Sequence, residues 1–203
     1  MKRIIITNLP HHIIQRGLNG RQTFLIDDDY VVYLKIMAQC CRQYQIEILA
    51  YSLMPDHVHL IAIPKEQNSL SKCLRVAHGR YSKYINRRTG CTGQFWQGCY
   101  SSHLLDQHYL LTCARYIEIN ALKREYVDQP EQWRWCSAQA HINGCDDDLV
   151  RVQPLLDRVE MSWQEFLAVP RPDSEADMFY AHEKSGLALG DEAFVIMVGK
   201  RCH

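Results

Sequence analysis

The sequence lacks long hydrophobic runs, paired cysteines and internal repeats, and these absences exclude several classes of protein. No apolar run approaches the roughly 20 residues that a membrane span needs. The three isoleucines at 4–6 are too short a core for a secretory signal. The nine cysteines include no CxxC pair, which argues against a zinc knuckle or a disulfide framework. We therefore expect a cytoplasmic protein with reduced thiols and no membrane partner.

Acidic residues are absent from 67–105, and this gap belongs to a wider charge asymmetry. Residues 1–124 carry 16 Lys and Arg against 8 Asp and Glu, whereas residues 125–203 carry 7 against 15. The gap itself contains six basic residues: Lys72, Arg75, Arg80, Lys83, Arg87 and Arg88. The pattern favours a basic domain that meets a polyanion, followed by a different, acidic tail. A solvated basic helix face is the alternative interpretation.

The order of the predicted elements indicates an α+β, ferredoxin-like fold. The apolar periodicity and turn residues predict strands at about 10–16, 46–54, 57–64 and 94–105, and helices beginning near Asp27 and Ser69. The β-α-β-β-α-β order predicts an antiparallel sheet with two helices on one face.

Two further regions follow the predicted sheet. Asp106 is a suitable N-cap for a third helix, which we expect to run from about Gln107 to Arg124. Residues 1–148 are predicted to form one domain, and 149–203 an acidic, mostly helical C-terminal extension. This tail could lie over the basic residues and compete with the polyanion, or it could pack elsewhere as a structural cap.

His57 and His59 flank Val58 on a predicted strand. Strand side chains alternate, so the two imidazoles should point to the same face. This spacing predicts a possible metal pair, although a chance pair of polar residues would look the same. His11, His12 and His78 have no comparable context, and we expect them to be structural or surface residues.

Tyr116 and Asn120 are four residues apart on the predicted third helix and therefore share a face. A core aromatic followed by an ordinary helix-terminal amide is the simpler interpretation. Taken together with the histidines, however, the residues supply two nitrogen ligands, one amide oxygen and a nucleophile. Neutral ligands would leave a hard ion such as Mg²⁺ or Mn²⁺ with its full charge and open positions, which suits a phosphate oxygen.

These segments resemble a known family. YSLMPDHVHLI resembles the His-hydrophobic-His motif of single-tyrosine HUH transposases, and RYIEIN resembles their nucleophile helix. More specifically, the chain is similar to REP-associated tyrosine transposases over about residues 10–145. The similarity includes an opening strand with its Arg-Gly loop in HHIIQRG and a second helix and strand in GRYSKYINRRTGCTGQFWQGCYSS.

The resemblance implies a role for each matching residue. His57, His59 and Asn120 would be metal ligands, and Tyr116 would be the nucleophile. The implied DNA-contacting residues are Arg16, Arg80, Lys83, Arg87 and Arg88. Tyr81 and Tyr109 would be the next candidates if Tyr116 were not the nucleophile.

The function expected from these residues is metal-dependent nicking and strand transfer of single-stranded DNA through a 5′-phosphotyrosine. The resemblance implies hairpin-forming repeats as the target, with Mg²⁺ or Mn²⁺ as cofactor, and leaves monomer and homodimer open. A non-catalytic nucleic-acid-binding regulator derived from a transposase is one alternative. A metallohydrolase of small phosphoesters is another. Covalent capture of DNA by a tyrosine would separate the first function from both.

Overall fold

A four-stranded antiparallel sheet with the order β2-β3-β1-β4 forms the centre of the computed structural model. The structure describes residues 4–170, 178–179, 181 and 188–200. The strands are β1 (His11–Arg16), β2 (Ile46–Met54), β3 (His57–Pro64) and β4 (Ser101–Leu104). β1 pairs with both β3 and β4, and β2 forms a hairpin with β3. The predicted ferredoxin-like α+β fold is confirmed.

Two long helices, α1 (Asp27–Gln43) and α2 (Ser69–Thr89), cover one face of the sheet. The strand residues on this face alternate with those on the other, so Ile13 and Leu60 pack under the two helices. Tyr33 from α1 and Tyr81 from α2 are fully buried in the same core. The predicted helix pair is therefore held on the sheet by a continuous apolar layer.

Helix α3 (Gln107–Glu118) covers the opposite face. On its apolar side, Cys113 and Ile117 pack with sheet residues such as Ile61 in a second core. The predicted cap is confirmed, because the Asp106 side chain accepts the backbone N–H of Tyr109. The prediction of one helix to Arg124 is wrong: α3 ends at Glu118, and a separate turn, α4 (Asn120–Lys123), begins after Ile119.

One other predicted boundary is wrong for a local reason. The strand expected at 94–105 shrinks to β4, because Gly93 and Gly98 adopt positive φ and the intervening segment folds back on the core. Helix α1 begins at Asp27 as predicted, and its three aspartates form the first turn without supplying the N-cap. Ile26 holds that position, while the Asp29 carboxylate accepts the backbone N–H groups of Leu25 and Ile26.

The remaining elements are short. They are α5 (Ala138–Asn143), α6 (Gln153–Leu156), α7 (Trp163–Ala168), α8 (Glu192–Lys200) and 3₁₀ turns at Leu18–Gly20 and Pro130–Gln132. Residues beyond 148 enter both cores: Val150 joins the first and Trp163 the second. The boundary at 148–149 stays a prediction. Within the described ranges, no helix combines the length and hydropathy needed to cross a bilayer.

Candidate active site

The two motif histidines lie together on β3, on the face that α3 covers. His57 and His59 are each 1% exposed, with ring centroids 4.8 Å apart and ring planes nearly perpendicular at 86°. The predicted same-face placement is therefore observed, and the rings are close enough to share one ion. Their role as metal ligands stays a prediction.

Each histidine uses its Nδ1 atom for a hydrogen bond. His57 Nδ1 lies 2.6 Å from Asp56 Oδ1, and His59 Nδ1 lies 2.9 Å from His12 Nε2. Within the described part of the chain these are the only hydrogen bonds of the two rings. The Nε2 atom of each imidazole is therefore the one left for a ligand.

The surroundings keep both rings neutral. Burial lowers the pKa of His57, against the opposing effect of the Asp56 carboxylate, and lowers the pKa of His59 well below its usual value. The positive charges of Arg16 and Arg124 act in the same direction as burial. The hydrogen bond from His57 in turn lowers the pKa of Asp56, so an ionised carboxylate faces a neutral imidazole. Neutral imidazole is the form that binds metal ions.

Tyr116 approaches the histidines from α3. Its half-buried ring lies edge-on to His59, with centroids 5.8 Å apart, and edge-on to His12, with centroids 6.3 Å apart. Asn120 opens α4, buried at 7% exposed, about one turn beyond Tyr116. The structure thus brings the predicted nucleophile to the histidines, and the helix break lies between the nucleophile and the predicted amide ligand.

A residue of the C-terminal extension also reaches Tyr116. The Phe179 ring stacks on Tyr116, with centroids 4.8 Å apart and planes 21° apart, and is 1% exposed. It also meets the His12 ring edge-on at 6.3 Å. The acidic tail therefore contributes an aromatic ring to the site, which its charge did not indicate.

Two clefts lie along the segment that precedes β4 and along the start of β4. Arg16 pairs with His57 across β1 and β3 and lines a polar cleft of about 250 Å³ with Gln97 and Cys99. Cys99 also lines a second cleft, of about 350 Å³, between α2 and the segment before β4. The other lining residues of this second cleft include Lys72, Arg75, Trp96 and Tyr100. The two clefts share Cys99, and the smaller one includes Arg16, the cross-strand neighbour of His57.

The structure does not bring the other predicted DNA-contacting residues to the site. Arg80, Lys83 and Arg87 are exposed on α2, across the sheet from Tyr116. Arg88 is engaged in an internal ion pair, because its Nη2 atom lies 2.6 Å from Oδ2 of the fully buried Asp29 carboxylate. Arg88 therefore has a structural contact that the basic pattern of the helix did not reveal.

His12 is the main site residue that the sequence reasoning missed. The expectation of a structural or surface residue took no account of strand pairing, in which His12 lies opposite Ile61, two residues from His59. Asp56 was missed as well. Among the alternative nucleophiles, Tyr81 is fully buried on the other face and donates its hydroxyl hydrogen to the Thr23 carbonyl. Tyr109 lies on α3, the same helix as Tyr116, and stays the alternative candidate for the nucleophile.

The donor set fits a hard divalent ion with open positions. Across the described residues, no three His, Cys, Asp or Glu side chains are placed to hold one ion. His57 and His59 offer two neutral imidazole nitrogens, and the amide oxygen of Asn120 as a third donor stays a prediction. Water or phosphate oxygens would complete an octahedral shell.

A family model described as "Transposase IS200 like" matches residues 6–120, more than half of the 203 residues. The chain belongs to the IS200-like transposase family. The matched range includes His12, His57, His59, Tyr116 and Asn120.

Two individual proteins that are named as transposases are similar to this IS200-like transposase. One is named a REP-associated tyrosine transposase, from Haemophilus influenzae, and is 26% identical over 111 residues, or 49% of this chain and 62% of the relative. The chain thus aligns with less than two thirds of that relative's length. The other is a solved structure of a REP-associated tyrosine transposase bound to a REP hairpin. It matches with a TM-score of 0.62 and 19% identity, over 73% of this chain and 88% of the other. At that identity the match supports the shared fold.

Proposed function

We propose that this IS200-like transposase cuts and rejoins single-stranded DNA, with Tyr116 as the nucleophile. The observation that carries the proposal is the position of the Tyr116 ring, 5.8 Å from the ring of His59, in a site whose two motif histidines both keep Nε2 for a ligand. A phenol is a weak nucleophile at its ordinary pKa of about 10, so it needs an activating environment.

In the proposed reaction the Tyr116 oxygen forms a bond to the phosphorus atom, and the bond from phosphorus to the 3′ oxygen breaks. The proton lost by the phenol balances the proton gained by the departing 3′ hydroxyl. The DNA downstream of the cut stays attached through a 5′-phosphotyrosine. Attack by a 3′ hydroxyl on this linkage rejoins DNA, and the retained ester bond means that no nucleotide cofactor is needed.

We assign the metal to His57, His59 and Asn120. A bound Mg²⁺ or Mn²⁺ would polarise the scissile phosphate and offset the charge that develops on it. The protein residues orient the phosphate beside Tyr116, and the buried walls of the site limit the access of water. The neighbouring cations Arg16 and Arg124 add positive potential at the same position.

The proposed DNA path uses the two clefts beside β4. Lys72 and Arg75 provide phosphate contacts in the larger cleft, and Arg16 provides one in the smaller cleft next to His57. The chemistry of the path suits an unpaired strand, because the clefts combine cations with aromatic walls such as Trp96. The REP hairpin bound to the similar solved protein supports a hairpin-forming repeat as the target.

The proposal is tested with a hairpin oligonucleotide that carries a fluorescent label at its 3′ end. The wild type with Mg²⁺ or Mn²⁺ should give a labelled protein band that resists denaturation, and EDTA should remove it. Tyr116→Phe should bind the oligonucleotide and form no adduct, while Tyr109→Phe, on the same helix, should form it normally. Binding without any wild-type adduct would instead support a non-catalytic regulator, and hydrolysis without an adduct would support a phosphoesterase.

A further inference from the structure

The buried imidazole of His12 is not used by the proposed reaction, yet it touches a motif histidine. His12 is 1% exposed, and its Nε2 atom lies 2.9 Å from Nδ1 of His59. The two rings are nearly coplanar, at 19°, with centroids 5.1 Å apart. This is the geometry of a hydrogen bond in the plane of both rings rather than of face-to-face stacking.

The hydrogen bond restricts the proton positions of both rings. One nitrogen must donate and the other must accept, because two lone pairs or two N–H groups would repel at this distance. A neutral His59 that offers the lone pair of Nε2 to a ligand carries its proton on Nδ1. The Nδ1–H of His59 is then the hydrogen-bond donor, Nε2 of His12 accepts it, and His12 carries its own proton on Nδ1.

Asp56 provides the equivalent contact for His57. Its carboxylate can only accept, so the 2.6 Å contact places the His57 proton on Nδ1 as well. The pair is therefore oriented by two different acceptors, a carboxylate for His57 and an imidazole for His59. Such outer contacts fix the tautomer and the angle of a ligating imidazole.

We propose that His12 is a positioning residue that holds His59 in the Nδ1–H tautomer and aims its Nε2 atom at the metal. This inference rests on the proposed function, because it takes His59 to be a metal ligand. It assigns His12 no contact with DNA or with the ion. Its role is to accept one hydrogen bond from His59 and so to hold the angle of that ring.

The tautomer can be measured in the metal-free protein. The ¹⁵N chemical shifts of the His59 ring distinguish a protonated Nδ1 from a protonated Nε2. We expect Nδ1 to be protonated in the wild type. A proton on Nε2 of His59 would overturn the proposal, even if every variant described next were unstable.

Metal binding provides the second readout, with Mn²⁺ alone as the probe and calorimetry as the method. His12→Ala should weaken Mn²⁺ binding by about 10- to 100-fold, the usual effect of removing such an outer contact. His12→Gln should recover much of the loss, because its amide oxygen can accept the same proton. His11→Ala is the matched control: His11 is fully buried beside His12 on β1 but is bonded to Ser102 and Ile6 instead.

Equal Mn²⁺ affinity in wild type and a folded His12→Ala would overturn the proposal. An equal loss in His11→Ala would also overturn it, because the effect would then belong to the strand as a whole. A wild type that binds no Mn²⁺ would contradict the proposed function rather than the role of His12. The tautomer measurement, which needs no metal, would still decide that role.

Discussion

Mutation of the two neighbouring arginines at the end of α2 should affect different properties: the stability of the fold for Arg88, and the binding of DNA for Arg87. Both residues are exposed, but Arg88 donates to the fully buried Asp29 carboxylate at 2.6 Å. Asp29 also accepts two backbone N–H groups and the Tyr84 hydroxyl. Arg88→Ala removes the charged donor and leaves the buried Asp29 carboxylate with its three uncharged donors, which form weaker hydrogen bonds.

The magnitudes follow from these contacts. A hydrogen bond to a charged group contributes about 2 kcal/mol, so Arg88→Ala should lower the free energy of unfolding by that amount. For a chain of this size the melting temperature should fall by roughly 4–8 °C. Arg87→Ala should leave the melting temperature nearly unchanged. If Arg87 contacts one phosphate, the slope of log K against log salt should become about 0.7 shallower.

Thermal unfolding and a salt series of binding to a labelled single strand measure the two effects. Arg88→Lys is a useful further variant, since it keeps the charge but has a different donor geometry. The reasoning would be refuted if Arg88→Ala kept the wild-type melting temperature and flattened the salt slope. Arg88 would then be available to DNA, as the basic sequence pattern alone predicts.

Three other perturbations test the structure in separate places. Phe179→Ala uncovers the Tyr116 ring and should speed adduct formation if the tail occludes the site. Phe166→Ala serves as the control, because Phe166 lies on α7 with its ring against Trp163. An unchanged rate with lost stability would favour a structural cap. Glu118→Ala removes the buried acceptor of three side-chain hydrogen bonds. It should lower the free energy of unfolding by about 3 kcal/mol or more, which urea unfolding would measure. Burial lowers the pKa of His11 to about 4 and that of His78 to about 3, so the unfolded state binds more protons below pH 6.5. Stability should therefore fall as the pH drops from about 6.5 to 4, by up to about 1.4 kcal/mol per pH unit for each histidine, and His11→Gln should reduce that slope.

The sheet and the spacing of the motif could be predicted because they depend on local sequence. Alternation of apolar residues sets the faces of β2 and β3, and the same alternation puts His57 and His59 on one side. The order of strands and helices then limits the topology to few choices. These features require no knowledge of which distant residues meet.

The missed features depend on contacts between distant parts of the chain. Glu118, beside the break after α3, accepts hydrogen bonds from Ser137, His141 and Trp163, which lie 19 to 45 residues away. The role of His12 depends on the pairing of β1 with β3. Aligning the two strands in their observed register places His12 next to His59. The stacking of Phe179 on Tyr116 had no sequence signal, because the net charge of a tail does not specify where its aromatic rings pack.

The nucleophile can be identified by mass spectrometry of the peptide that carries DNA. The wild type is reacted with a hairpin oligonucleotide and Mg²⁺, the adduct is digested with nuclease and protease, and the modified tyrosine is located by fragmentation. Nucleotide attached to Tyr116, and lost in Tyr116→Phe, is the predicted result. Nucleotide attached to Tyr109 or to another tyrosine, with Tyr116→Phe still active, would contradict the assignment of the active site.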